Sequence, residues 1–180
     1  MNVIILGGNS IKNQEWVLEV ARHLKAKFHT VYPHIYEHWQ SGSNFIDLDH
    51  EAKALRKADV FNGEYLVIAK SVGCVLTLKL TSEYSLNPAA CVLLGFPLAV
   101  IQQADAWPVS DWLANLKCKT TFVQNDEDPV GSHEEVQAYL AEYGLQGKEV
   151  LAWKGATHDY LDFDEIVKIS ALLTASPEHQ

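Results

Sequence analysis

Three residue types that can share one reaction follow three different apolar runs of this chain. Ser71 stands in AKSVG directly after YLVI, Asp126 and Asp128 in NDEDP after TTFVQ, and His158 in GATHDY after KEVLAW. A serine hydroxyl is a weak nucleophile until a base takes its proton. An imidazole near neutral pH can take that proton and later return it, provided a carboxylate holds the ring in the right tautomer. A serine, then an acid, then a histidine, each behind its own strand, is the chain order in which one fold type delivers nucleophile, orienting acid and base. The turn around Ser71 suits the first role. A-K-S-V-G must reverse from strand to helix within about one residue, which strains the apex and lifts its hydroxyl above the sheet. Ala69 and Gly73 are small enough to let strand and helix approach, and the N–H of Val72 points where a tetrahedral oxyanion would form. Taken alone, Ser71 reads equally as a helix N-cap. Lys70 reads as a side chain that packs its stem and exposes its ammonium, or as a cation near the pocket mouth that selects an anionic substrate.

Those loops need a scaffold, and the pattern supplies one. NVIIL (2–6), FHTVYPHIY (28–36), EYLVIA (64–69), ACVLLGF (90–96), TTFVQ (120–124) and KEVLAW (148–153) are short apolar runs of strand length, the second weakened by Pro33. Helical periodicity fills the intervals: a stripe of Trp16, Val20 and Leu24 with Asn13 as cap, a segment at 49–61 capped by Asp49, and an all-apolar helix at 72–82. A capping box of Ser132 and Glu135 opens a helix at 133–143, and a last helix covers 159–173. The stretch 97–116 reads as irregular until a short helix at 111–116. Strands alternating with helices predict a parallel sheet covered on both faces, an α/β three-layer sandwich whose active groups lie at the carboxyl ends of the strands.

Composition narrows the function classes. The 180 residues are 48% hydrophobic and 21% charged, without repeat or linker, as expected for a single domain over 1–180. Net charge is −9 with no basic cluster, which argues against nucleic acid as a partner. Three cysteines, an odd number set in or beside apolar runs, read as free thiols in a reducing, cytoplasmic setting. No apolar window is long enough for a membrane span, and the first residues lack the charged start of a signal peptide. His34 and His38 have the i, i+4 spacing of a metal pair, but they follow a strand and flank Pro33, so metal binding is not expected. Trp39, Phe96 and Trp107 are aromatics that would line an apolar acyl or leaving-group pocket.

Taken together, VIILGG, AKSVGC, QNDEDPVGS and GATHDY resemble the α/β-hydrolase family, and the resemblance extends over nearly the whole chain. The elbow departs from the family's G-x-S-x-G by Ala69 in place of the first glycine. The likeness is to small, lidless members and implies a six-stranded sheet in the order 2-1-3-4-5-6. It also implies Ser71 as nucleophile and His158 as general base. The family's G-x-x-D pattern, with Asn125 for the glycine, places the orienting acid at Asp128 rather than Asp126. The loop GGNS, standing where the family has His-Gly-x-x, implies the backbone N–H of Asn9 as second oxyanion donor. The expected activity is that of a serine hydrolase acting on a carboxylic ester through an acyl-enzyme that water resolves. That chemistry calls for a small acyl substrate and no metal or organic cofactor. The alternative is a non-catalytic module of the same fold that binds a protein or small ligand in the same cleft. A homodimer is compatible with either.

Overall fold

A computed structural model of the chain describes residues 1–104, 107–143, 145 and 148–175. The six apolar runs become strands β1 (Asn2–Leu6), β2 (Thr30–Pro33), β3 (Tyr65–Lys70), β4 (Ala90–Leu94), β5 (Lys119–Asn125) and β6 (Glu149–Trp153). All neighbours pair in parallel, in the expected order β2-β1-β3-β4-β5-β6. β3 and β4 are buried at every residue, which is why they read as unbroken apolar runs rather than alternating ones. Pro33 is tolerated because β2 is an edge strand, where its missing N–H costs the ladder nothing on the open side.

Helices α1 (Lys12–Leu24), α2 (Glu37–Ser41), α3 (Leu48–Arg56) and α4 (Val72–Glu83) fall in the first half of the chain. The second half carries α5 (Leu98–Gln103), α6 (Val109–Ala114), α7 (His133–Glu142) and α8 (Phe163–Thr174). The chain steps one way along the sheet from β1 to β2 and the other way from β3 to β6. Right-handed crossovers therefore put α1 on one face and α4 and α7 on the opposite one. α8 packs on α1, and α3 and α6 pack on α4. α4 is buried from Val72 to Leu80, the central helix that its all-round apolarity predicted. Among the described residues no helix is long and apolar enough to cross a membrane.

Local expectations needed correction where a side chain had other work. Asn13 does not cap α1, which starts at Lys12 after Ile11. It lies buried as the second residue of the helix, where its amide donates to the Ser10 carbonyl and accepts from Lys70. Asp47, not Asp49, caps α3 by accepting from the His50 N–H, while Asp49 pairs with Lys79 at 2.9 Å. The stretch expected to be irregular up to 111 contains α5, and α6 begins at Val109, directly after Pro108. The last helix starts at Phe163 rather than 159, leaving 159–162 as loop, with Asp162 accepting from the Glu165 N–H.

Candidate active site

The strand order reverses between β1 and β3, and a ligand crevice in such a sheet opens at the carboxyl ends beside that reversal. Ser71 follows β3 there. Its backbone sits at φ 56°, ψ −124°, in the region that side-chain-bearing residues avoid. The turn is closed by the Ser71 N–H on the Leu94 carbonyl and the Cys74 N–H on the Ser71 carbonyl. Gly73 is required: a Cβ on it would lie 2.6 Å from the Leu6 carbonyl oxygen and 2.7 Å from that of Gly7. The Ser71 side chain makes no cap on α4, so the N-cap reading of the sequence is not what the fold uses.

Asp128 and His158 come together from β5 and β6. The imidazole Nδ1 lies 2.8 Å and 3.0 Å from the two carboxylate oxygens. The same buried carboxylate accepts from the Tyr160 hydroxyl at 2.7 Å, the Val130 N–H at 2.8 Å and the Gln124 amide at 3.3 Å. With Nδ1–H committed to Asp128, the neutral ring keeps Nε2 as its basic atom. That Nε2 is buried and has no hydrogen-bond partner among the described residues, Ser71 Oγ included. Asp126 is exposed, and its N–H is spent on the Trp153 carbonyl. Gly95, at φ 59°, lets both rings lie against the end of β4, since a Cβ would meet Tyr160 at 2.5 Å and His158 at 3.0 Å.

Two supports of this pair escaped sequence reasoning. Tyr160 bridges, its hydroxyl accepting from the Asn125 N–H at 3.0 Å while donating to Asp128. Burial first, then the Asp128 charge, pushes its pKa far up, so it remains a donor. Asn125, the residue in place of the family's glycine, donates its amide to the Thr157 and Asp159 carbonyls on either side of His158. The only signal for either was its proximity in sequence to the expected acid or base.

The loop after β1 is held by YEHW (36–39), whose role was also not foreseen. The Tyr36 hydroxyl donates to the Gly7 carbonyl at 2.9 Å, and His38 Nε2 and Trp39 Nε1 both donate to the Asn9 carbonyl at 2.7 Å and 3.0 Å. The Asn9 side chain accepts from the Ile46 N–H and donates to the Asn44 carbonyl. These bonds fix the two peptides that flank the Gly8–Asn9 peptide, whose N–H is the expected oxyanion donor. The Asn9 N–H has no acceptor among the described residues, and that of Val72 lies in the first turn of α4, where no intrahelical acceptor exists. His34 is turned away to Glu51 at 2.7 Å, so the two histidines do not converge. Among the described residues no group of three His, Cys, Asp or Glu is placed to hold a metal.

A cleft of about 580 Å³ runs from His158 along α1, lined among others by Ser10, Asn13, Trp16, Lys70, Asp159 and Leu161. Of the aromatics expected in a pocket, none lines it. Phe96 is fully buried against Phe122 and Tyr139, and Trp39 is consumed by the Asn9 loop. Trp107, two residues before α6, lines a separate depression with Lys79 and Trp112. Lys70 does line the cleft, but with a buried ammonium rather than an exposed one. Burial lowers its pKa, and the more distant Asp159 and Asp128 partly offset this.

Comparison with known structures returns the same fold at low identity. The chain is similar to Est1E from Butyrivibrio proteoclasticus, solved with ferulic acid bound, at 14% identity over 93% of this chain and 85% of that one, TM-score 0.66. It is similar to mouse alpha/beta hydrolase domain-containing protein 10 at 12% identity over 96% and 89%, TM-score 0.67. The pyrethroid hydrolase PytH aligns at 13% identity over 99% of both chains, TM-score 0.69. A search of curated proteins found no match. A family model described as an alpha/beta hydrolase domain matches residues 45–165, from the loop before α3 into the first turn of α8, and the chain belongs to that family.

Proposed function

We propose that the chain is a serine hydrolase acting on carboxylic esters or related acyl compounds. Membership of an alpha/beta hydrolase family supports hydrolytic chemistry in general. The observation that carries the finer reading is the Asp128–His158 pair, with Nε2 left unpartnered at the strand ends that also present the strained Ser71. In this reading Ser71 Oγ attacks the carbonyl carbon while His158 Nε2 takes its proton. The Asn9 and Val72 N–H groups stabilise the oxyanion, helped by the α4 dipole. His158 then protonates the departing alcohol or thiol, and water, deprotonated by the same nitrogen, releases the acyl group. The missing Ser71–His158 hydrogen bond belongs to the free enzyme, in which such contacts are commonly long and tighten on the substrate.

That missing bond also favours a second reading, a non-catalytic module that binds a ligand in the same cleft. A fluorophosphonate probe separates the two without a guess about the substrate. The expected result is a covalent adduct on Ser71, located by mass spectrometry and absent from Ser71→Ala. A folded protein that stays unlabelled, while a control hydrolase reacts in parallel, would leave the binding module as the surviving reading.

A further inference from the structure

Two lysines are buried among the described residues, and only one of them is paired with carboxylates there. Lys79 lies between Asp49 at 2.9 Å and Glu83 at 2.6 Å. Lys70, 6% exposed, donates to the neutral Asn13 Oδ1 at 3.1 Å and sits 5.6 Å from the centre of the Trp16 ring. Among the described residues it forms no ion pair. An ammonium has three donors, so two are unused by protein groups. A buried cation with one neutral acceptor is costly, and packing alone would be served as well by methionine. This cation faces the cleft that begins at His158.

We propose that Lys70 anchors an anionic group on the leaving-group side of the substrate, so that the favoured substrates are esters or thioesters of alcohols or thiols bearing a carboxylate or phosphate. The inference rests on the serine-hydrolase reading. The side follows from the chemistry: His158 hands its proton to the departing atom, and the cleft opens at His158, whereas Ser71 is not part of its lining. The desolvation of Lys70 is met when the chain folds, so an arriving anion gains a preorganised, low-dielectric partner. Carboxylates also border the cleft. Glu19 is engaged by Arg22, and Glu15 and Asp159 are exposed, where water and salt screen them far more than the buried ammonium.

The test compares kcat/KM for the acetate esters of 4-hydroxybenzoate, 4-hydroxyphenyl phosphate and the neutral 4-hydroxybenzamide. The wild-type chain should prefer at least one anionic ester by on the order of tenfold, mainly through KM, with the two anions telling carboxylate from phosphate. Lys70→Met should bring that ratio close to one, as should Lys70→Gln if the methionine variant folds poorly. A wild-type chain with no preference for either anion overturns the inference, as does a Lys70→Met chain that retains the preference or loses all three esters alike. In each of those cases fluorophosphonate labelling of wild-type Ser71 shows the hydrolase reading still standing. A folded wild-type chain that neither labels nor turns over any of the three sinks both.

Discussion

Asp128 and Ser71 follow β5 and β3, with β4 between them, and they are held by opposite means. The Asp128 carboxylate is saturated, taking donors from His158, Tyr160, Val130 and Gln124. Ser71 Oγ has no hydrogen bond among the described residues, and the serine is placed by a positive-φ turn pressed between Leu94 and α4. A buried polar network holds by mutual satisfaction, so removing one member orphans the others. A strained turn is held by its packed neighbours, and the apical side chain adds little to it. On the proposed mechanism, function and stability are therefore coupled at Asp128 and separated at Ser71.

The sharpest way to break that contrast is to remove each group in turn. Asp128→Asn should lower kcat/KM by about 10³- to 10⁴-fold, because the amide favours the wrong imidazole tautomer. It should also lose about 1–3 kcal/mol in urea unfolding. Ser71→Ala should abolish turnover as completely while changing stability by no more than about 0.5 kcal/mol. Equal destabilisation by the two substitutions would refute the comparison.

Tyr160→Phe probes the same network one step out. It deletes a donor to Asp128 and the acceptor for the Asn125 N–H, with an expected loss of about 1–2 kcal/mol in thermal unfolding and about tenfold in kcat. On the oxyanion side, Trp39→Phe keeps an aromatic ring but leaves His38 as the one side-chain donor on the Asn9 carbonyl. A several-fold fall in kcat with KM nearly constant is expected, because an oxyanion donor acts on the transition state alone, up to about 10²-fold for a whole donor.

The smallest effect concerns Lys70 and is read as stability against pH. Its folded pKa is depressed, so the unfolded chain binds the extra proton, and the charged lysine weakens the fold. That penalty is complete below the folded pKa and fades as pH rises toward the ordinary value of 10.5. Lys70→Met should therefore raise Tm at pH 7, with the advantage shrinking as the pH is raised toward that value. An advantage that grew with pH would show the sign to be wrong.

Much of this was legible beforehand, and the exceptions have a common cause. The four inner strands announced themselves because a sheet covered on both faces demands unbroken apolar runs, whereas the edge strands β2 and β6 have no buried residue and were read from shorter apolar stretches. α2 and α5 did not, since five and six residues are too few to show a helical period. Ser71 and His158 were singled out as candidates by local motifs. Tyr36, His38, Trp39, Asn125 and Tyr160 were not assigned their roles, because they act across 29 to 35 residues of chain, where no spacing rule applies. Asn13 and Asp49 had the right type and place for helix caps, yet each is bound to a lysine. A capping preference is worth about 1 kcal/mol and gives way to a buried charge.

By itself the sequence determined the class of sheet, the loops in which chemistry would gather, and the residue types brought there. Those follow from periodicity and chain order, which the backbone imposes at short range. Tertiary structure alone decided that Tyr160 and Asn125 brace the Asp128–His158 pair, that YEHW grips the Asn9 loop, and that Lys70 is buried without a counter-charge. Hydrogen bonds and ion pairs are made or lost within about half an ångström. Placement that fine comes from packing segments distant in the chain against one another, which no local pattern records.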